Sequence, residues 1–229
     1  MRICVLSMII LFSAAFSDVL IYDDFQDGVA DGWLEMPGAV YEVQSGRYHF
    51  QHSSQDTVMA ASLTGDVFGS MSVPSYSVRT EIEIETGQLA GAIGRFDLIE
   101  VDGYALTLLT DVGGIMALSR IDGGAIEVLS YTFTPISTQQ PYWVRFEMNG
   151  SLMGGRIWTG SVSQEPSYWH LTAVDSTYQD PGSVGLIAYD ESRSTDAGLD
   201  AWFDEFMVED ELTLDLSATT WASIKACEF

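Results

Sequence analysis

The chain has 229 residues, with 9 basic against 33 acidic side chains and a formal net charge of −24 at pH 7. A surface of that sign repels nucleic acid and anionic lipid, which excludes both as partners. The length suits one undivided all-β domain. At the start, Met1-Arg2 precedes a mostly apolar run from Ile3 to Phe16, followed by the small-x-small site at Ala15 to Ser17. This is the pattern of a cleaved secretory signal over residues 1–17. A membrane anchor needs about 20 apolar residues, and Asp18, Asp23 and Asp24 end the run sooner. The expectation is a secreted or cell-surface protein without membrane insertion after cleavage. Cys4 leaves with the signal and Cys227 lies at the far end, so the core must hold without an internal disulfide.

Val19 to Phe25 reads as a first strand, followed by a turn-rich loop to Trp33. Arg47 to His52 and Thr57 to Ser62 are short strands. From Ser77 to Glu85 the alternation is clean: Val78, Thr80, Ile82 and Ile84 share one face, and Arg79, Glu81, Glu83 and Glu85 the other. A strand with one buried and one wet face has this period. Ala90 to Phe96, Gly103 to Thr110, Ile115 to Ile121 and Ala125 to Tyr131 continue the series, with Asp-Gly and Gly-Gly pairs between them. Asn149-Gly150 between Tyr142–Met148 and Leu152–Trp158 is a strong hairpin signal, although with Ser151 it also spells a glycosylation sequon. Gly182 to Tyr189 and Ala201 to Val208 are further strand-like runs. No helical period of useful length appears before residue 210. The fold class is all-β: a two-sheet antiparallel β-sandwich over residues 18–209, with a C-terminal extension over 210–229. In that extension, Thr219 to Ala226 looks like a degenerate Thr-Trp-Gly-x-Ile-Lys tail found on some secreted bacterial proteins.

The pieces Asp23-Asp24-Phe25 with Gly32-Trp33, Gly91 to Phe96, Gly103 to Leu106, Tyr142 to Phe146, Arg156 to Trp158, Pro166 with Trp169, and Phe203-Asp204 occur in an informative order. Together they resemble the concanavalin A-like lectin/glucanase superfamily, near its laminin-G-like members, over residues 19–209. The resemblance implies a jelly roll. Many members are non-catalytic modules that bind glycans or proteins and others are glycanases, so fold alone does not choose between them.

Glu81, Glu83 and Glu85 resemble the Glu-x-Asp-x-Glu strand of family 16 glycanases, with Glu83 in place of the Asp. In that family the first carboxylate is the nucleophile and the last the acid/base. A retaining pair sits about 5–5.5 Å apart, whereas residues four apart on a regular strand are separated by about 13 Å. Catalysis by Glu81 and Glu85 therefore requires a bulged strand, and a solvated strand face explains the same pattern. The resemblance also implies a structural calcium where the first and last strands meet, with Asp23, Asp24 and Asp204 as ligands. Phe203 and Phe206 are an odd number apart, so both face the core only if a bulge intervenes, which would also turn Asp204. The histidines, His49, His52 and His170, lack a triad context or a same-face pair and are expected at the surface. Sugars stack on exposed rings, which nominates Trp158 and Trp169 beside a Gly/Ser-rich loop, and Arg95 and Tyr104 on neighbouring strands. The reading is a secreted non-catalytic module binding carbohydrate or another surface polymer. Its rivals are a family 16-type glycosidase and a cell-envelope adhesion module that binds protein.

Overall fold

The computed structural model of the protein describes residues 18–53, 57–65, 71–191, 198–210 and 212–214. The expected signal over 1–17, both cysteines and the Thr219–Ala226 motif lie outside the described residues. The chain opens with β1 (Val19–Asp23), β2 (Leu34–Glu35), β3 (Val40–Gln44), β4 (Arg47–His52) and β5 (Val58–Thr64). Then come β6 (Tyr76–Thr86), β7 (Leu89–Asp97), β8 (Asp102–Leu109), β9 (Ile115–Asp122) and β10 (Ala125–Phe133). It closes with β11 (Tyr142–Asn149), β12 (Leu152–Trp158), β13 (Leu171–Val174), β14 (Ser183–Asp190) and β15 (Leu199–Glu209). Among the described residues no helix is long and apolar enough to cross a membrane.

Two antiparallel sheets pack face to face. The first runs β13-β12-β11-β6-β15-β4-β3, with β1 also on β15, and the second runs β10-β9-β8-β7-β14-β5-β2. Strict alternation supplies the core between them: Val78, Ile82 and Ile84 of β6 are buried, while Arg79, Glu81, Glu83 and Glu85 are half-buried on the opposite side. Tyr48, Phe50, Phe203, Phe206 and Phe25 form the aromatic heart, with Trp33 edge-on to Phe206 at 4.8 Å. Each such ring contributes roughly 1.5–3 kcal/mol by burial.

The last strand carries the bulge that its parity requires. The β15–β6 register slips between Asp204 and Met207, and Glu205 takes φ 46°. Phe203 and Phe206 are thereby both fully buried. The slip also marks a change of neighbour, because β15 pairs with β4 through Phe203 and with β1 from Phe206 onward. In the β11–β12 hairpin the Asn149 amide donates to the Leu214 carbonyl at 3.0 Å. That carbonyl belongs to a short segment pinned by Glu147, whose fully buried carboxylate accepts the backbone N–H groups of Thr213 and Leu214.

Candidate functional site

The outer face of the first sheet holds most of the residues that the sequence nominates. Trp158 is 8 % exposed and lies parallel to Trp143 with centroids 6.0 Å apart, its indole N–H donating to the Ser161 carbonyl. The expected exposure of Trp158 is therefore not observed. The β11–β12 register sets the two tryptophans opposite one another, and each covers the other. Trp169 is half-buried beneath the Arg156 guanidinium, 3.9 Å from its ring centroid. Glu165 joins this layer to its neighbours through ion pairs with Arg79, Arg145 and Arg156. His49 is buried rather than at the surface: it stacks on Trp202 at 3.9 Å and bridges Glu42 and Asp200.

Glu81, Glu83 and Glu85 lie on this same face. Glu83 is ion-paired to Arg47 at 2.8 Å. The β15 ladder steps from Thr86 to Ile84 as β15 advances one residue, so Glu85 is an extra residue in β6. Glu81 faces Asp204 across the ladder. Burial raises the Glu81 carboxyl, Arg47 opposes this, and Asp204, Glu205 and Glu83 add to it. Asp204 is likewise raised, first by burial, with Glu205 and Asp24 contributing repulsion against the pull of the Glu205 N–H and Arg47.

Asp23, Asp24 and Asp204 share this neighbourhood, and each carboxylate accepts a backbone N–H. Asp23 accepts the Phe25 N–H and the Trp33 indole N–H, both at 2.8 Å, and so fixes the turn that seats Trp33. Asp24 accepts the Gln26 N–H and Asp204 the Glu205 N–H. Among the described residues, no three carboxylate, imidazole or thiol side chains come together to hold a metal ion. What the arrangement provides is concentrated negative charge.

Arg95 lines a different place, a cleft of about 550 Å³ at one end of the sandwich, and Tyr104 lies behind its Tyr178 wall. Its walls are the β7–β8 loop, with Asp97, Leu98 and Ile99, and the β13–β14 loop, with Tyr178 and Asp180. A bulge in β7 between Gly94 and Asp97 puts Arg95 at φ 49°, a conformation that is strained for a residue with a Cβ. The bulge directs Arg95 inward, where it is 3 % exposed. Its Nε donates to the Pro74 carbonyl at 2.7 Å, and Nη1 donates to the carbonyls of Gly150 at 2.7 Å and Tyr178 at 3.1 Å. Nη2 has no hydrogen-bond partner among the described residues. A Cβ on Gly182 would lie 2.4 Å from the Arg95 carbonyl carbon, so glycine lets the second loop close onto the bulge.

Tyr104 is fully buried and supports the same wall from beneath. Its hydroxyl donates to Asp175 at 2.6 Å and accepts the Tyr178 N–H at 3.0 Å, and its ring meets that of Tyr178 edge-on at 5.7 Å. Burial pushes the Asp175 carboxyl up, but hydrogen bonds from Tyr104 and Thr177 and the charge of Arg120 outweigh it and hold the pKa at about 2. The half-buried Tyr178, which the sequence reading missed, is the ring presented to the cleft. Burial, then the charges of Asp102 and Asp122, raise its hydroxyl. The volume lies in the range of small-ligand sites, and carboxylates beside a ring suit hydroxyl hydrogens and a sugar face.

No known protein-family profile and no curated protein sequence matches the chain. Solved structures do match. A carbohydrate-binding module, CBM66 from Bacillus subtilis, shares 18 % identity and a TM-score of 0.59 over 78 % of this chain and 95 % of that one. The exoplasmic/lumenal domain of VIP36, in a form bound to Ca2+ and Man3GlcNAc, gives 0.62 at 7 % identity over 85 % and 90 %. A prokaryotic β-1,3-1,4-glucanase derived from a mouse hindgut metagenome gives 0.60 at 11 % identity over 84 % and 99 %. These likenesses establish the fold as a sandwich of the concanavalin A-like type.

Proposed function

We propose that the protein is a secreted, non-catalytic carbohydrate-binding module whose end cleft takes a neutral or cationic sugar. The observation that carries this reading is a cleft of about 550 Å³ walled by the Tyr178 ring and by Asp97, Asp102 and Asp180. A ring beside carboxylates suits the CH face of a sugar and its hydroxyl hydrogens. The same carboxylates disfavour acidic glycans. The fold it shares with a carbohydrate-binding module and a glycan-bound lumenal domain supports the reading.

Affinity electrophoresis of the secreted protein in gels containing neutral, cationic and acidic polysaccharides tests it. Tyr178→Ala should lose about tenfold or more in retention, as truncated stacking anchors do, with the melting temperature nearly unchanged. Undiminished retention in that variant would place the ligand elsewhere. A second reading, a glycosidase, draws on the raised Glu81 carboxyl facing Asp204. Release of reducing ends that disappears in Glu81→Gln would replace the first reading with this one.

A further inference from the structure

The turn of the β11–β12 hairpin touches both the C-terminal segment and the cleft. Asn149 pairs with Leu152, so Gly150 and Ser151 make the turn, and Gly150 takes φ 56°. The Asn149 amide donates to the Leu214 carbonyl at 3.0 Å. The Gly150 carbonyl accepts Arg95 Nη1 at 2.7 Å, and its N–H donates to the Ser75 hydroxyl at 3.2 Å. The Ser151 carbonyl accepts the Asp175 N–H at 2.9 Å. Hairpin turns ordinarily lie free on the surface, whereas this one is fastened to several parts of the chain.

Two of these contacts lead to Tyr178. Arg95 Nη1 also donates to the Tyr178 carbonyl at 3.1 Å. Asp175 accepts the Tyr104 hydroxyl, whose oxygen in turn accepts the Tyr178 N–H. Both polar backbone groups of Tyr178 are thus held by partners that the turn itself holds. On the other side the turn meets a docked segment. The N–H groups of Thr213 and Leu214 donate to the buried Glu147, Arg156 Nη2 donates to Thr213 Oγ1 at 3.0 Å, and Leu214 is 2 % exposed.

We propose that residues 149–151 position the cleft wall, and that docking of Thr213 and Leu214, passed on through Asn149, sets how tightly the cleft holds a sugar. The affinity part rests on the reading of the cleft as the sugar site. Asn149 is not in the cleft lining, so it acts as a positioning residue through its neighbour Gly150. A ring fixed in place before the sugar arrives loses less freedom on binding. Release of the segment breaks the Asn149 bond, lets the turn draw away from Arg95 and Asp175, and loosens both backbone ties of Tyr178. Such coupling is reciprocal: a sugar that binds better to the docked form strengthens docking by the same factor.

Amide hydrogen exchange on the full secreted chain, followed residue by residue by NMR, tests this first without sugar. Leu214→Asp sets a charge at a buried position and releases the segment. The expected result is exchange at Thr177 and Tyr178 about fivefold faster or more, beyond any change at Ile82 and Phe146 in the core strands. Asn149→Ala should give the same acceleration, and Leu214→Asp added to it should contribute nothing further at those two amides. If Leu214→Asp does not fold, Asn149→Ala alone decides. Acceleration confined to Thr213, or an equal change in every strand, overturns the proposal, because the segment then has a merely structural role. With sugar, Asn149→Ala should lose about fivefold in retention on neutral and cationic polysaccharide gels, and the best-retained of these polysaccharides should slow exchange at Thr213 and Leu214 in the parent by a similar factor. A parent retained by none of them sinks the reading of the cleft, while the sugar-free measurement still decides whether segment and cleft wall are coupled.

Discussion

The two sheets follow the same alternation yet differ sharply on their outer faces. Arg47, Arg79, Arg145 and Arg156 all stand on the outer face of the first sheet, where Glu83, Glu165, Glu147 and Glu209 pair with them and Trp143, Trp158 and Trp169 fill the gaps. Among the described residues the corresponding face of the second sheet carries a small buried apolar cluster, including Ile93, Ile121 and Ile187, beside exposed apolar side chains on β10. An outward-pointing residue is therefore not automatically a ligand contact. On the first sheet, rings stack on one another and charges form ion pairs, although the Nε atoms of Arg79 and Arg156 have no hydrogen-bond partner among the described residues, and that face acts as a third structural layer.

The most forceful way to break this comparison is to delete a ring from the supposed third layer. Trp158→Ala should cost about 3–5 kcal/mol, the range for large buried aromatics, measured by urea denaturation. A cost under 1 kcal/mol, together with lost glycan retention, would return Trp158 to the role of sugar platform. Next comes Glu165→Ala, which leaves three guanidinium groups short of a carboxylate. Breaking buried pairs costs 3–5 kcal/mol, and partial exposure brings the expectation down to about 2 kcal/mol. Phe133→Asp supplies the contrast, within about 0.5 kcal/mol of the parent, as surface changes usually are.

Acid separates the two ends of the molecule by sign. Asp175, held at about 2 from an ordinary 3.8, stabilises the folded cleft above pH 4, and that contribution disappears as pH falls toward 2. Glu81 and Asp204 are shifted upward, so the folded state holds their protons more tightly and loses stability as pH rises through their titration. Asp175→Asn should flatten the acid limb of the stability profile below pH 4. Glu81→Gln should flatten the decline on the other side, which hydrogen exchange at β6 can follow. Unchanged profiles in both variants would dissolve the distinction. The smallest expected effect is that of calcium. The charge gathered at Glu81, Asp204, Glu205 and Asp24 motivates a rise in melting temperature with millimolar-range calcium, reduced in Asp204→Ala and exceeding that of sodium at matched ionic strength. Coincident melting curves in chelator and in calcium would rule this cation out.

Much of the fold was legible because alternation reports burial directly. Arg47–His52 and Leu152–Trp158 have the bounds read from the sequence, and the parity of Phe203 and Phe206 foretold the bulge between them. The short strands Leu34–Glu35, Val40–Gln44 and Leu171–Val174 escaped notice, since two to five partly polar residues carry too little period. The site was less legible. Arg95 and Tyr104 were picked out, and the structure sets Arg95 in the cleft lining and Tyr104 beneath its wall. Tyr178 owes its place to Asp175, which is fixed in turn by Tyr104 and Arg120, 71 and 55 residues away in sequence. No local pattern encodes such contacts. The Trp143–Trp158 pair was hidden too, since a two-residue turn at Asn149-Gly150 would set Trp143 opposite Arg156, whereas the observed hairpin pairs Asn149 with Leu152 and turns at Gly150-Ser151.

The Glu147 clamp has a mechanical meaning. The chain leaves β15 near the edge strand β1, but Thr213 and Leu214 are fastened to β11, which lies inside the first sheet between β6 and β12. Tension on the chain beyond Leu214 therefore reaches the sheet through a buried carboxylate before it can peel β15 from its neighbours. The load passes into a strand laddered to β6 on one side and to β12 on the other.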